Sequence, residues 1–414
     1  MIDYKCRGCG CSLVHVFANL GRSPPSNAFR TLEQLDEPEM TLPLRVFVCR
    51  ECQLVQLPAY EKPENIFNEY AYFSSYSPTW VEHMRRYAAA MTAKHRLGAQ
   101  SLVLDVASND GYLLKHFKEF GVPVMGVDPA KNVADIAIAA GIPTFKAFFG
   151  EALARDMVVG HGRADLINAT NVLAHVPDIH DFVEGFRIML QPAGTITFEF
   201  PHVLNLIREC QLDTIYHEHY SYLSLRALEP IFKTHDLRVY DIDQLPTHGG
   251  SLRLHVCHAY DYHAAIVAND EAIYNIQALE VGAGLHELET YTSFASEPQR
   301  VKVDFLDFLI RQKKRGKMIV GYGAPAKATT LLNYCGVGPE LISYTVDATP
   351  AKQWKYIPGV QIPIFPEEEL VKDRPDFVVI FPWNLKDPIM QKAKVIREWG
   401  GKFVTAIPKL QIIP

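Results

Sequence analysis

The sequence predicts an α/β protein: two doubly wound, mostly parallel sheets behind a small metal-stapled module. Three observations carry this. Strand and helix patterns alternate between residues 101 and 200, the alternation resumes after residue 316, and five of the eight cysteines (Cys6, Cys9, Cys11, Cys49 and Cys52) fall in the first 52 residues. Alternation of this kind reads as parallel strands covered by helices, and clustered thiols outside a secreted scaffold read as metal ligands. At roughly 150 residues per domain, 414 residues imply about two to three domains. The 48% hydrophobic and 21% charged content excludes a disordered or collagenous chain.

The first segment, to about residue 58, is Cys-rich and poor in helical periodicity, and the stretch 60–80, rich in Pro, Tyr, Phe and Ser, reads as a connecting lid. Strands are expected at 102–107, 122–127, 165–169 and 194–200, with helices at 112–120, 133–140 and 179–190. Residues 201–295 look less regular, apart from a turn at Thr247-His248-Gly249-Gly250-Ser251 and a strand at 252–257. A charged helix at 299–314 leads into the second half. Strands are expected there at 317–322, 341–346, 377–381 and 402–406, with helices at 326–334 and 389–399. The two halves do not read as copies of one another.

A formal charge of −6 provides no basic footprint for nucleic acid. No stretch approaches the roughly 18 apolar residues of a membrane span, and the first residues lack a signal-like apolar run, so the cytoplasm is the expected compartment. Oligomeric state is not readable, and a monomer is the default.

Cys6-x-x-Cys9 and Cys49-x-x-Cys52 form two thiolate pairs, each able to grip one ion from a tight turn. Four thiolates around Zn²⁺ leave no open position, so the expected role is structural. Cys11 is spare, and Cys210, Cys257 and Cys335 read as core cysteines.

Two loops look built for nucleotides. In Asp105-Val106-Ala107-Ser108-Asn109-Asp110-Gly111, an acidic residue closes a strand and a small-residue turn opens a helix, while Asp128 ends the next strand. That pair fits the ribose of S-adenosylmethionine better than a dinucleotide, because the turn has one glycine and no G-x-G-x-x-G for a pyrophosphate. Ala107 and Asn109 stand where such turns usually carry glycine. The later loop, Gly321-Tyr322-Gly323-Ala324-Pro325-Ala326-Lys327, satisfies G-x-G-x-x-A, with Asp347 ending the next strand. It suits either a dinucleotide or, through its amides and Lys327, the diphosphate of a nucleotide sugar.

Tyr216-His217-Glu218-His219-Tyr220-Ser221-Tyr222 gathers two imidazoles, a carboxylate and three phenols. The spacing is not the H-E-x-x-H of zinc proteases. A general base fits better: an imidazole removes a proton α to a carbonyl, and a phenol or second imidazole steadies the enolate. Two weaker features converge on this string, the hydroxyl-rich Tyr70, Tyr72, Ser74, Ser75 and Tyr76, and His175 after the strand at 165–169. His248 reads equally as structural or functional.

In this order the pieces resemble the sugar C-methyltransferases of deoxysugar biosynthesis. The resemblance rests on the Cys pairs, Glu69-Tyr70-Ala71-Tyr72-Phe73-Ser74-Ser75-Tyr76-Ser77, Asp213-Thr214-Ile215-Tyr216-His217-Glu218-His219 and Gly321-Tyr322-Gly323-Ala324-Pro325-Ala326-Lys327. It implies a zinc-binding module with a lid (1–80), a central Rossmann-like S-adenosylmethionine-binding domain (81–295) and a C-terminal Rossmann-like α/β domain for the nucleotide sugar (296–414). The implied reaction methylates the carbon beside the keto group of a nucleoside-diphosphate 4-keto-6-deoxysugar, at C3 or in some members C5. His219 would be the base, Glu218 and Tyr216 would position the sugar or stabilise the oxyanion, and His175 and Tyr72 would line the pocket, with Tyr70 and Tyr76 as alternatives to Tyr72. Cofactor contacts are expected from Asp105, Ala107, Asn109, Gly111 and Asp128. Substrate contacts are expected from Tyr76, Tyr222, His248, Tyr322 and Lys327, and zinc ligation from Cys6, Cys9, Cys49 and Cys52. The rival readings are an NAD-dependent nucleotide-sugar oxidoreductase using the later glycine loop and a non-catalytic scaffold.

Overall fold

A computed structural model describes residues 3–67, 73–260 and 266–414. Three sheets organise it. The central one has seven strands in the order Leu237–Leu245, Ser251–His258, Leu190–Pro201, Ala164–Thr170, Val103–Val106, Val124–Val127 and Thr144–Phe145. The last five run parallel, and Ser251–His258 pairs antiparallel with both of its neighbours. The core strands Val103–Val106 and Ala164–Thr170 are almost wholly buried, as expected of strands covered by helices on both faces. Strand order reverses between these two, so a crevice opens at their carboxyl ends.

The C-terminal sheet repeats the plan with six strands: Ile364–Phe365, Thr345–Val346, Ile319–Tyr322, Phe377–Ile380, Lys402–Thr405 and an antiparallel edge, Gln411–Ile413. The strand expected at 341–346 shrinks to Thr345–Val346, because the amides of Leu341 and Ile342 turn back onto the Gly338 carbonyl. The helix expected at 389–399 begins earlier and splits into Lys386–Lys392 and a 3₁₀ stretch, Lys394–Trp399.

The N-terminal sheet was illegible in the periodicity. His15–Ser23 and Leu42–Val48 pair antiparallel, followed by Val55–Gln56 and then Ser221–Tyr222, contributed from 165 residues further along the chain. Hydrophobic cores ignore the sequence divisions: Phe17 and Val46 pack in one cluster with Phe305, Leu332 and Val404, while Cys49 and Leu54 join Leu228 and Ile231 of the central part. The irregular-looking 201–295 stretch holds the helices Leu225–Thr234 and Asp270–Gly282 around the edge strand Leu237–Leu245. The end of the expected lid starts a 17-residue helix, Pro78–Lys94, capped by Ser77, whose hydroxyl accepts from the Trp80 amide at 3.4 Å. No helix among the described residues is long and apolar enough to cross a membrane.

Candidate active site

A cavity of about 450 Å³ opens at the carboxyl ends of the central strands. One end is walled by Val106, Ala107, Asn109, Val127, Asp128 and Phe149; the other by His175, Tyr216, His219, Tyr222, His248 and Lys327.

At the first end the backbone turns sharply after Val103–Val106. Ala107 has φ 60° and Asn109 φ 50°, so two side-chain-bearing residues occupy the left-handed region that glycine usually takes. Asp128 secures the turn: its Oδ2 accepts from the Asn109 amide at 2.8 Å and its Oδ1 from the Ala130 amide at 2.9 Å. Burial pushes this carboxyl up to about 6. Each oxygen retains a second lone pair, so a carboxylate beside an apolar shelf fits the ribose and base of S-adenosylmethionine. Asn109 and Asp110 also accept from the amides of Ser74 and Ser75, fastening the segment after residue 72 to this turn.

Asp105 and Gly111 lie off the cavity wall. Asp105 Oδ1 accepts from Asn168 Nδ2 at 2.6 Å, and burial pushes the carboxyl up to about 7. Gly111 is favoured by its backbone, which sits at φ 77° in the left-handed region.

At the second end, a turn in which the His219 amide donates to the Tyr216 carbonyl (2.9 Å) puts both side chains on the cavity side. Their rings lie 3.9 Å apart, and His175 lies 4.8 Å from His219. His219 Nδ1 sits 2.7 Å from the Thr214 carbonyl oxygen, and His175 Nδ1 sits 2.8 Å from that of Glu218. A carbonyl only accepts, so both Nδ1 atoms carry the proton and each Nε2 keeps its lone pair. Burial, then the neighbouring His175, holds His219 well below the ordinary imidazole range. Burial likewise holds His175 and His248 to about 4.

His217 and Glu218 point the other way and do not line the cavity. His217 Nε2 donates to the Pro43 carbonyl at 3.2 Å. Glu218 Oε1 accepts from Asn27 Nδ2 at 2.6 Å, and burial lifts this carboxyl to about 7 against the pull of Asn27 and of the Lys352 charge. Glu218 therefore meets the cavity only through its backbone carbonyl, which holds His175.

Of the expected substrate residues, Tyr222, His248 and Lys327 line the cavity, with His248 Nε2 3.0 Å from Asn171 Nδ2. Tyr76 is exposed and stacks on Phe73. Tyr322 bonds Glu367 away from the cavity, and Tyr70 and Tyr72 lie outside the described residues. The later glycine loop is shaped by its own packing: a Cβ on Gly321 would lie 2.5 Å from Phe381, and one on Gly323 2.8 Å from Pro382. Asp347 holds that loop as Asp128 holds the first, accepting from the amides of Ala324 at 2.7 Å and Thr349 at 2.8 Å. Asn171 and Asn27 support the site from places no local pattern marks, and Thr214 does so from within the Asp213–His219 string, where no role was expected of it.

The four Sγ atoms of Cys6, Cys9, Cys49 and Cys52 lie within 4.8 Å of one another, with Cys6–Cys52 at 3.5 Å and Cys9–Cys49 at 3.4 Å. Tetrahedral Zn–S bonds of about 2.3 Å require edges of roughly 3.8 Å, so the cluster fits zinc. Gln56 Nε2 donates to Cys6 Sγ at 3.0 Å, and Gln56 itself pairs with Ser221.

Three families match the chain: "Putative zinc binding domain" over residues 6–67, "Methyltransferase domain" over 80–242 and "C-methyltransferase C-terminal domain" over 246–408. The C-methyltransferase NovU of Streptomyces niveus is 34% identical over 409 residues, covering 99% of this chain and 96% of that protein. Among solved structures, magnesium protoporphyrin IX methyltransferase of Synechocystis PCC 6803 is 14% identical with a TM-score of 0.34, covering 43% of this chain and 79% of its own. A S-adenosylmethionine-dependent methyltransferase of Clostridium acetobutylicum is 11% identical with a TM-score of 0.36, covering 44% and 92%. Neither the family matches nor the Streptomyces niveus relative supports the oxidoreductase reading.

Proposed function

We propose, since this chain belongs to the C-methyltransferase family and depends on S-adenosylmethionine, that it methylates a nucleoside-diphosphate 4-keto-6-deoxysugar at the carbon beside the keto group, C3 in preference to C5. The observation that carries this reading is a neutral imidazole, His219, with its Nε2 lone pair free for a proton, in the same cavity as Asp128.

The 4-keto group acidifies the neighbouring C–H. His219 Nε2 takes that proton, and the C–H electron pair moves into an enolate whose carbon is the nucleophile. S-adenosylmethionine supplies the electrophilic methyl group. Thr214 keeps His219 in the working tautomer, and His175, Tyr216 and Tyr222 shape the sugar end. The low basicity of His219 is no obstacle, because the imidazolium forms beside the new negative charge. The zinc cluster is structural in this reading. The same reading makes this a cytoplasmic enzyme without a nucleic-acid or membrane partner, and for nucleic acid the net charge of −6 supports it.

The test is incubation of the purified protein with S-adenosylmethionine and thymidine- or guanosine-diphosphate 4-keto-6-deoxysugars, with mass and NMR analysis of the sugar. Transfer of one methyl group to C3 or C5 is expected. A protein that binds adenosylhomocysteine but methylates none of these sugars defeats the substrate assignment.

A further inference from the structure

We propose that Lys327 is a catalytic residue, the cation that stabilises the enolate oxygen created when His219 removes the sugar proton; this rests on the ketosugar reading above. Position in the chain favours a different role, since a lysine after a glycine-rich turn usually meets a phosphate. The structure separates Lys327 from that turn. The Ala324 amide is already engaged by Asp347, Gly321 and Gly323 pack against Phe381 and Pro382, and none of these loop residues lines the cavity. Lys327 does, as the one lining residue from beyond residue 296 and the one ammonium or guanidinium in the wall among the described residues.

The surroundings of Lys327 leave its charge available. Nζ donates to Asn384 Oδ1 at 2.8 Å and lies 4.4 Å from the centre of the Trp383 ring, a neutral amide and a neutral π face. Burial works against the charge and lowers the Lys327 pKa, while the Asp213 carboxylate, further away and with one oxygen accepting from Trp383 Nε1 at 2.8 Å, favours it. An ammonium has three donors, so two are left for a ligand. Proton removal creates one negative charge on the sugar, and a single fixed cation beside the base matches it. A diphosphate is normally held by several donors together.

The base and the cation are also held in a fixed relation across the domain boundary. The helix Ala326–Cys335, which carries Lys327 in its first turn, is tied to the His219 loop by Thr330 Oγ1 donating to the Ile215 carbonyl at 2.9 Å. The same helix is tied to the N-terminal module by Thr329 Oγ1 donating to the Ser26 carbonyl at 2.9 Å. The C-terminal domain thus reaches the chemistry with one positively charged side chain. Electrostatic support of a developing oxyanion is commonly worth about 100- to 1,000-fold in rate.

The experiment follows deuterium uptake from D₂O at the carbon beside the keto group, with the full-length protein, adenosylhomocysteine and saturating 4-ketosugar nucleotide. Calorimetry measures sugar affinity in parallel. Lys327→Met is expected to lower exchange by roughly 100-fold or more while sugar and adenosylhomocysteine affinities stay within a few-fold. Asn384→Leu, which keeps the lysine but frees its end, is expected to lower exchange by a smaller factor, and it carries the test should Lys327→Met fail to fold. Sugar affinity lost with exchange at saturation unchanged makes Lys327 a phosphate ligand and overturns the proposal. Wild-type protein that exchanges no 4-ketosugar, yet binds adenosylhomocysteine, defeats the ketosugar reading instead.

Discussion

The ring of His219 is held to its own chain, with Nδ1 2.7 Å from the carbonyl oxygen of Thr214 five residues earlier. This one contact decides which nitrogen carries the proton and which keeps its lone pair. It also explains how this imidazole keeps its place in the cavity wall among the rings of Tyr216 and His175.

Replacing His219 by Ala is expected to leave adenosylhomocysteine affinity within a few-fold while removing most turnover, because loss of a base acts on the chemical step. Calorimetry and a methyl-transfer assay check it. Retained turnover shifts the role to His175, whose Nε2 is equally free.

The pH profile should carry the same signature. As the proposed base His219 would act when neutral, and it is held well below its ordinary 6.5, so kcat/KM should stay level from pH 8 down to at least 6.5, with the acid limb lower still. A limb centred at or above 6.5 that persists in kcat at saturating S-adenosylmethionine and in Glu218→Gln contradicts a buried His219 as the base, since the raised carboxyls of Asp105, Asp128 and Glu218 also titrate between about 6 and 7.

Glu218 links pH to stability in the opposite sense. Its carboxyl titrates at 4.5 ordinarily and about 7 here, through burial. Below pH 4.5 it is protonated folded or unfolded and costs nothing; stability falls as pH rises from 4.5 through 7, because the unfolded chain ionises first. Glu218→Gln should therefore stabilise the protein at pH 8 by on the order of 2–3 kcal/mol and change little at pH 4. Thermal melts at the two pH values decide it.

Ala107→Gly should be neutral to stabilising. A side chain at φ 60° costs roughly 1–2 kcal/mol, whereas the extra freedom of glycine in the unfolded chain costs about 0.4–1 kcal/mol. A clear drop in melting temperature would mean that the Ala107 methyl group packs against something that matters more than its backbone.

One zinc per chain is expected, and Cys49→Ser should release it and lower stability by several kcal/mol. Because the Cys6 partner Gln56 pairs with Ser221, two residues beyond His219, activity should fall along with folding. Full metal loss with an unchanged melting curve would show the cluster to be dispensable to the fold.

Much of this was readable in the chain. Val103–Val106, apolar but for Asp105, and Ile319–Tyr322 are short runs before small-residue turns, and the alternation with helical patterns around them marks them as buried parallel strands. The strands His15–Ser23 and Leu42–Val48 were not readable, since their burial alternates irregularly around shifts in pairing register. Glu218 and His219 are adjacent and looked like one functional pair, but the turn from Tyr216 sends one side chain into the cavity and the other toward Asn27.

The sequence by itself determined the chemistry on offer: four paired thiols, an acidic residue after each of two glycine-containing turns, and an imidazole–phenol string. These are local properties of residue type and spacing, and they survive without knowledge of the fold. Only the tertiary structure decided which groups meet. Lys327 faces the same cavity as His219, 108 residues earlier, because a C-terminal helix docks on the Ile215 loop. Tyr322, five residues before Lys327, turns to Glu367. Long-range packing sets such pairings, and no periodicity in the chain encodes them.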